Sequence, residues 1–177
     1  AELKLHPKLK SARELAFAEL MVPIVKGWNT EIAQQTAYLG VQVHGGMGYI
    51  EESGAAQYAR DARITTIYEG TTGIQANDLI GRKIARDGGK ALAAAIERMR
   101  GVQGELAAAG SDELAVIGKR VRAAVDALEE AAHWIVARQR EEPRAVLAGA
   151  GPFLELAGTV CGGVELARGA LAAGGLC

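Results

Sequence analysis

The chain has 177 residues, of which 49% are hydrophobic and 23% are charged, and its formal net charge is -1. This balance is typical of a globular protein with a sizeable core and argues against a disordered chain. A net charge so close to zero gives no field that would attract nucleic acid or an anionic membrane, so we expect neither as a partner.

The cysteines and the chain ends indicate the setting of the protein. Cys161 and Cys177 lie in a Gly/Ala-rich segment without metal-ligand spacing, so we expect reduced thiols and a cytoplasmic location. The most apolar stretch carries the charges of Glu155, Glu165 and Arg168, which would be costly in a bilayer, so no membrane span is predicted. The chain opens without Met or an apolar leader, and we expect it to be a piece of a longer protein at both ends.

The first part of the chain predicts helices separated by proline and glycine. Aromatic residues make up only 5% of the chain, and alternating β-branched runs are missing, so the predicted fold class is all-α. One helix is predicted from about Pro7 to Met21 and should be ended by Pro23. A second helix is predicted through residues 29–45, where the glycine-rich run GGMGY interrupts it.

Two further helices are predicted before residue 89. Ser53 is well placed to cap a short helix through residues 54–64. After the interruption that contains Glu69, another helix is predicted through residues 73–87, and a pair of glycines should end it. Three of its apolar side chains are expected to face inward: Ile74, Leu79 and Ile80.

The composition changes near Gly89, where the chain becomes rich in alanine and strongly helical. We therefore predict two all-α domains, residues 1–88 and residues 89–177. The longest helix of the second domain is predicted from about Ser111 to Arg140, and a last helix from about Pro152. Apolar residues repeat every seven positions in the longer one, as expected of a helix packed in a bundle, at Leu114, Val121, Leu128 and Ile135.

No metal site is predicted, because His6, His44 and His133 are isolated in the sequence and lack paired ligand spacing. The run GGMGY resembles a phosphate-binding loop only superficially, since no strand precedes it and no Lys-Ser/Thr pair follows. A helix stop and an anion-binding backbone both stay open for it.

The stretch TTIYEGTTGIQ, residues 65–75, places a single carboxylate, Glu69, between Tyr68 and Gly70. Tyr68 offers an apolar wall, and Gly70 leaves the carboxylate accessible. We place Glu69 in the first turn of the following helix, where an acidic residue offsets exposed N–H groups and the helix dipole. On these residues alone a helix-start acid is favoured over a catalytic base, and both interpretations stay open.

Three motifs occur in order between residues 42 and 72: Gln-x-x-Gly-Gly, Arg-Asp-Ala-Arg-Ile and Tyr-Glu-Gly-Thr. Together they resemble the C-terminal helical domain of the acyl-CoA dehydrogenases, FAD enzymes that desaturate acyl-CoA thioesters. The resemblance covers residues 1–88, and the later helices resemble the extra C-terminal module of longer family members. It implies FAD, an acyl-CoA substrate, an electron-transferring flavoprotein and a homodimer or homotetramer.

The resemblance also implies roles for individual residues. Glu69 would be the base that removes the α proton while a hydride leaves the β carbon for flavin, and its backbone N–H would donate to the thioester carbonyl oxygen. Tyr68 and Gly70 would border the substrate. The cofactor-binding positions would be Gln42, Gly45 and Gly46, near an FAD bound by a neighbouring subunit, and Thr71 and Thr72, near the flavin.

The sequence departs from the family pattern after Thr72, because Gly73, Ala76 and Asn77 stand where many members have longer polar or basic side chains. The family's N-terminal helical domain and middle β domain have no counterpart in this chain, so by itself it is expected to be inactive.

One alternative belongs to another class of protein, and related chemistry on the same scaffold is a further possibility. A non-catalytic helical interaction or oligomerisation domain is disfavoured, because Glu69 occurs together with Gln42, Gly45 and Gly46. A flavin oxidase on the same scaffold stays open, since it differs only in how the flavin is reoxidised. The nitroalkane-oxidising branch is expected to use an aspartate base, so Glu69 argues against it.

Overall fold

The computed structural model describes residues 11–174, which contain helices and no strand. This confirms the all-α prediction. The α-helices in that range are α1 Ala12–Val43, α2 Gly46–Tyr49, α3 Ala55–Thr65, α4 Thr72–Asp78, α5 Lys90–Ala108, α6 Asp112–Arg138, α7 Pro143–Ala148 and α8 Ala150–Gly174. Shorter helical pieces are the 3₁₀ turns Glu51–Ser53 and Ala85–Asp87 and the π-helical segment Leu79–Ile84. The predicted helix start at Pro7, together with His6 and Cys177, lies outside the described residues.

Helix α1 joins two predicted helices into one. The prediction that Pro23 ends the first helix is wrong, because Pro23 lies inside α1 and is buried. A proline in a helix interior removes one backbone hydrogen bond. Leu20 and Ile24 on either side of it are only 1% and 3% exposed, so tertiary packing keeps the helix continuous despite that loss.

The glycine-rich run ends α1 as predicted, with Gly45 in the left-handed region at φ 60°. It then forms the single turn α2, which the sequence did not indicate. A Cβ on Gly48 would lie 2.2 Å from the Val41 carbonyl oxygen, so only glycine fits there. Ser53 is not the N-cap of α3, because Gly54 occupies that position in a left-handed conformation; the Ser53 hydroxyl still accepts a 3.4 Å hydrogen bond from Ala55 N–H.

The helix predicted through residues 73–87 changes its winding, since α4 continues into the π-helical segment. Leu79 and Ile80 are 0% and 2% exposed, as predicted, but Ile74 is 58% exposed and that prediction is wrong. The reason is the register: the inner face of α4 is set by Ala76, which is 1% exposed. A residue two positions away on an α-helix points to the opposite side.

Helices α5, α6 and α8 supply most of the core, and the predicted register of α6 is confirmed. Val121, Leu128 and Ile135 are buried, and Leu114 packs against the core at its edge. The last helix begins at Ala150 rather than Pro152. The short helix α7, which was not predicted, precedes it with Pro143 in its first turn.

Helix α8 packs closely on α1, as its many small residues indicated. A Cβ on Gly158 would lie 2.1 Å from Cγ of Trp28, and one on Gly162 would lie 2.8 Å from Cη2 of the same ring. Buried residues from both predicted domains belong to one hydrophobic core. The division at residue 88 stays a prediction. Across residues 11–174, no helix combines the length and apolar character needed to cross a membrane.

Candidate active site

The turn between α3 and α4 carries Glu69 in a strained conformation. Glu69 has φ 53°, and it is the only non-glycine residue with a positive φ in the part of the chain described. A left-handed backbone at such a residue costs about 1–3 kcal/mol and persists only where the surroundings enforce it. Strain of this kind clusters at functional positions, so the backbone itself singles out Glu69.

Glu69 does not lie in the first turn of α4, so that expectation is wrong. Thr71 is the N-cap of α4, and its hydroxyl accepts a hydrogen bond from Ile74 N–H at 3.4 Å. The end of the helix is therefore capped without the carboxylate of Glu69. The role of a helix-start acid, which the local sequence favoured, is taken by a threonine.

The reactive groups of Glu69 are accessible. Its side chain is exposed, and neither its carboxylate nor its backbone N–H takes part in a hydrogen bond within residues 11–174. Tyr68 is 52% exposed beside it. The turn thus presents an acceptor and a donor to whatever lies against it.

Lys26 of α1 binds two backbone carbonyls at the ends of the turn. Its Nζ donates hydrogen bonds to the Thr65 carbonyl at 2.8 Å and to the Gly70 carbonyl at 2.7 Å, and it lies 5.7 Å from the centroid of the Tyr68 ring. Thr65 is the last residue of α3, where a cation also complements the helix dipole. Sequence reasoning missed Lys26, because no local signal connects it with residues so far along the chain.

Two more contacts fix the far side of the turn, and the sequence did not reveal them either. Thr72 Oγ1 donates to Glu31 Oε1 at 2.5 Å, and Gln75 Nε2 donates to the Glu69 carbonyl at 3.2 Å. Gly70 has φ 96°, and a Cβ there would lie 2.9 Å from Gln75 Nε2. Glycine is therefore favoured at position 70 for two reasons: the positive φ, and the close approach of the Gln75 side chain.

The predicted cofactor residues fall into two separate places. Thr71 and Thr72 lie in the turn with Glu69, whereas Gln42 lies near the C-terminal end of α1. Gln42 is eleven residues beyond Glu31, a separation of about 16 Å along the helix at 1.5 Å per residue. Within one chain, the predicted cofactor residues at the turn and those near Gln42 therefore lie apart.

The glycines beside Gln42 are open. A Cβ on Gly45 or on Gly46 would meet nothing within 4 Å, and both residues are exposed, as is Gln42. Side-chain packing inside this chain therefore requires neither glycine, although the positive φ of Gly45 favours glycine at that position. Their bare backbone is accessible to a ligand or to another subunit.

Arg60, the first residue of the Arg-Asp-Ala-Arg-Ile motif, and His44 both make contacts within the chain. Arg60 pairs through both guanidinium Nη atoms with Glu51, at 2.8 and 2.7 Å, which lowers the pKa of that carboxyl. The His44 Nδ1 atom lies 2.9 Å from the Gly40 carbonyl. Arg60 and His44 thus each contact a neighbouring group within the chain, and we assign chemistry to neither.

The fold and the turn define a class of protein: an all-α bundle that presents an accessible carboxylate on a strained turn. Residues 8–84 match the family model described as "Acyl-CoA dehydrogenase, C-terminal domain". Residues 84–176 match the one described as "Acetyl-CoA dehydrogenase C-terminal like". The chain belongs to the acyl-CoA dehydrogenase family.

Curated relatives agree with this assignment. The chain is 46% identical to the 3-methylmercaptopropionyl-CoA dehydrogenase of Ruegeria pomeroyi, over 94% of this chain and 28% of that protein. It is 48% identical to a broad-specificity linear acyl-CoA dehydrogenase of Mycobacterium tuberculosis, over 42% of this chain and 12% of that protein. It is 52% identical to the mitochondrial short-chain specific acyl-CoA dehydrogenase of Rattus norvegicus, over 26% of this chain and 11% of that protein. The chain thus spans less than a third of each relative.

Proposed function

We propose that the protein carrying this chain is an FAD-dependent acyl-CoA dehydrogenase that desaturates an acyl-CoA thioester between the α and β carbons. The observation that carries the proposal is the left-handed backbone of Glu69, in a turn that leaves both its carboxylate and its N–H accessible. Family membership supports an acyl-CoA thioester as the substrate that this carboxylate would meet.

Glu69 would act as the base. Its carboxylate takes the proton from the α carbon, and the electron pair of that C–H bond forms the new double bond as a hydride leaves the β carbon. Bound FAD supplies the two-electron acceptor for this hydride. The product is a 2-enoyl-CoA, with the proton held on Glu69.

The main chain of the turn would stabilise the reacting thioester. Negative charge develops on the thioester carbonyl oxygen as the α proton departs, and the backbone N–H of Glu69 is free to donate to it. Gly70 has no side chain to keep the substrate away from this N–H. Since Glu69 is exposed here, the walls that exclude water from the reaction would come from other parts of the protein.

The residues present fit FAD. Gly45 and Gly46 face open space, so their backbone could approach a diphosphate without obstruction. Because Gln42 lies apart from the Glu69 turn within one chain, the two sets of residues would contact the FAD molecules of two neighbouring subunits, in a homodimer or homotetramer. The Thr72 hydroxyl donates its hydrogen to Glu31, so it would contact flavin as an acceptor. The Thr71 hydroxyl only accepts a hydrogen bond within the chain, so it would still be able to donate one to flavin.

The relatives suggest where to look for the substrate. The 46% identity to 3-methylmercaptopropionyl-CoA dehydrogenase extends over 94% of this chain, so 3-methylmercaptopropionyl-CoA is our first candidate. Butyryl-CoA is the second, after the butyryl-CoA dehydrogenase of Syntrophomonas wolfei, which is 39% identical over 44% of this chain. An electron-transferring flavoprotein as acceptor and a cytoplasmic location belong to the same proposal.

An anaerobic visible spectrum of the full-length protein tests the proposal. Adding either acyl-CoA should bleach the oxidised flavin band, and Glu69→Gln should keep the flavin but slow the bleaching about 10²–10⁴-fold, the usual contribution of a general base. Glu52→Gln is a matched control, since Glu52 is also exposed. Normal bleaching in Glu69→Gln would refute the base. A protein that stays colourless with added FAD would favour the non-catalytic interaction domain.

A further inference from the structure

Lys26 bridges the two ends of the turn that carries Glu69. We infer that Lys26 is a positioning residue, which holds Glu69 in its left-handed conformation so that the carboxylate meets the α carbon of the substrate. The inference rests on the proposed role of Glu69 as the base. It assigns a task to a residue that no motif in the sequence marks.

The ammonium group of Lys26 donates hydrogen bonds to both ends of the turn. A lysine ammonium has three donors and no acceptor, and two of the donors of Lys26 reach the carbonyls of Thr65 and Gly70 at 2.8 and 2.7 Å. These carbonyls lie on opposite sides of Glu69 in the chain. A single cation thus sets the separation between the end of α3 and the exit of the turn.

Hydrogen bonds also orient the peptide planes that follow Glu69. Because a trans peptide is planar, fixing its carbonyl also fixes the direction of its N–H. Gln75 holds the Glu69 carbonyl and Lys26 holds the Gly70 carbonyl, so both planes that follow the Glu69 Cα are oriented. On the preceding side, the Tyr68 ring lies 5.7 Å from the same ammonium.

The segment of α1 that carries Lys26 is firmly packed in the core. Lys26 lies on α1 between two buried residues, Ile24 and Gly27. A Cβ on Gly27 would come within 2.5 Å of Cδ2 of Leu154, so α1 and α8 are in close contact at this level. The hydrogen bonds of the Lys26 ammonium group therefore fix the exposed turn relative to the packed core.

Hydrogen exchange in the full-length protein tests whether Lys26 holds the turn. The probes are the amides of Tyr68 and Thr72, which donate to the carbonyls of Ile64 and Thr66 at 3.0 and 3.3 Å. In Lys26→Met they should exchange about tenfold faster, because local opening becomes easier. Lys26→Arg keeps the charge and donors and should restore slow exchange. Lys119→Met, which removes an exposed lysine of α6, should change nothing.

Rapid mixing with butyryl-CoA tests whether that hold serves the base. Lys26→Met should bind the acyl-CoA with nearly unchanged affinity, yet bleach the flavin about tenfold more slowly, since a misplaced group loses rate before binding. The isotope effect with α-deuterated butyryl-CoA should rise, because proton abstraction becomes slower than the other steps. Lys26→Arg should recover the rate. A purely structural lysine would lower the melting temperature and leave the isotope effect where it was.

The outcomes separate this inference from the proposed function. Unchanged exchange in Lys26→Met overturns the positioning role, whatever Glu69→Gln does. Faster exchange with an unchanged bleaching rate and isotope effect also overturns it. Normal bleaching in Glu69→Gln instead refutes the base, while the exchange data still report whether Lys26 holds the turn. If Lys26→Met does not fold, Lys26→Gln, which removes the charge but keeps a donating amide NH2 group, carries the same comparison.

Discussion

The two halves of the described chain differ in how they treat their apolar residues. The first region, residues 11–88, holds seven of the 26 buried hydrophobic residues, and the second region, residues 89–174, holds nineteen. The first region nevertheless has fourteen of the eighteen large hydrophobic residues that are exposed. The second region covers its own apolar faces, whereas the first presents them outward.

The well-packed second region differs in this way from the first region, which carries the candidate site. Exposed apolar surface on a folded chain can mark a site of interaction, and three of the exposed residues, Ile67, Tyr68 and Ile74, lie in or beside the strained turn. Helix α8 of the second region packs closely against α1 and so stabilises it. A well-packed region thus supports an open one, and the proposed partners of the open region are a second subunit and a cofactor.

The reactivity of Cys161 tests how closed the second region is, and it has the largest expected effect. Burial, and secondly the Glu165 carboxylate, raise the pKa of this thiol from 9.0 to about 11. Because the thiolate is the nucleophile, alkylation by iodoacetamide at pH 8 should be about a hundredfold slower than for an ordinary thiol. Labelling of the peptide that contains Cys161 is followed from pH 7 to pH 11, in a Cys177→Ser background.

The same group gives a pH dependence of stability with a defined sign. Its folded pKa is raised, so the neutral thiol stabilises the folded state fully below the unfolded pKa, and this contribution is lost as the pH rises from 9 towards 11. Cys161→Ala should unfold without that component of the pH dependence. Rapid alkylation of Cys161 at pH 8 would show that this thiol is accessible. It would then contradict the idea that the second region covers its interior better than the first.

Packing between the regions gives the next largest effect. Gly158→Ala should lower the free energy of unfolding by about 1–3 kcal/mol, the usual cost of overpacking, because the added Cβ would lie 2.1 Å from Trp28 Cγ. The matched control is Gly163→Ala on the same helix, where a Cβ meets nothing within 4 Å. It should stabilise by about 0.5–1 kcal/mol through the higher helix propensity of alanine. Urea unfolding of both variants measures the difference, and equal effects would show that α1 and α8 are not in close contact.

The strain in the first region gives the smallest effect. Glu69→Gly should stabilise the protein by about 1 kcal/mol, since glycine adopts a positive φ without the steric cost that Glu69 bears. The gain should come with loss of the proposed base, as expected where function requires a strained residue. Thermal unfolding measures it. Glu69→Ala is the control, because alanine keeps the steric cost and should bring no gain; equal stability of the glycine and alanine variants would remove strain as a mark of the site.

Particular elements show how far local sequence reaches. The register of α6 was predicted because its repeat of seven residues is a local pattern that packing simply uses. The continuity of α1 was missed, since helix propensity around Pro23 is a weak guide when both sides of it are buried. The outward direction of Ile74 was missed because Ala76, a smaller residue, faces the core in its place.

The candidate site was only partly accessible from sequence. The motif around Glu69 pointed to the residue, and its role as a base stays a prediction. Its left-handed backbone and its place before the helix were not foreseen, because local preference favours an acid at a helix start. Lys26 and Glu31 could not be found at all, since each contacts the turn from about forty residues away in the chain.

The sequence by itself determined the all-α class, the buried face of α6 and the order of the motifs, because periodicity and residue type act over a few neighbouring positions. The tertiary structure alone decided that α1 runs through Pro23, that Glu69 is strained, and that Lys26 holds the turn. These features depend on contacts between distant segments, whose free energy exceeds local preferences only once the core has assembled.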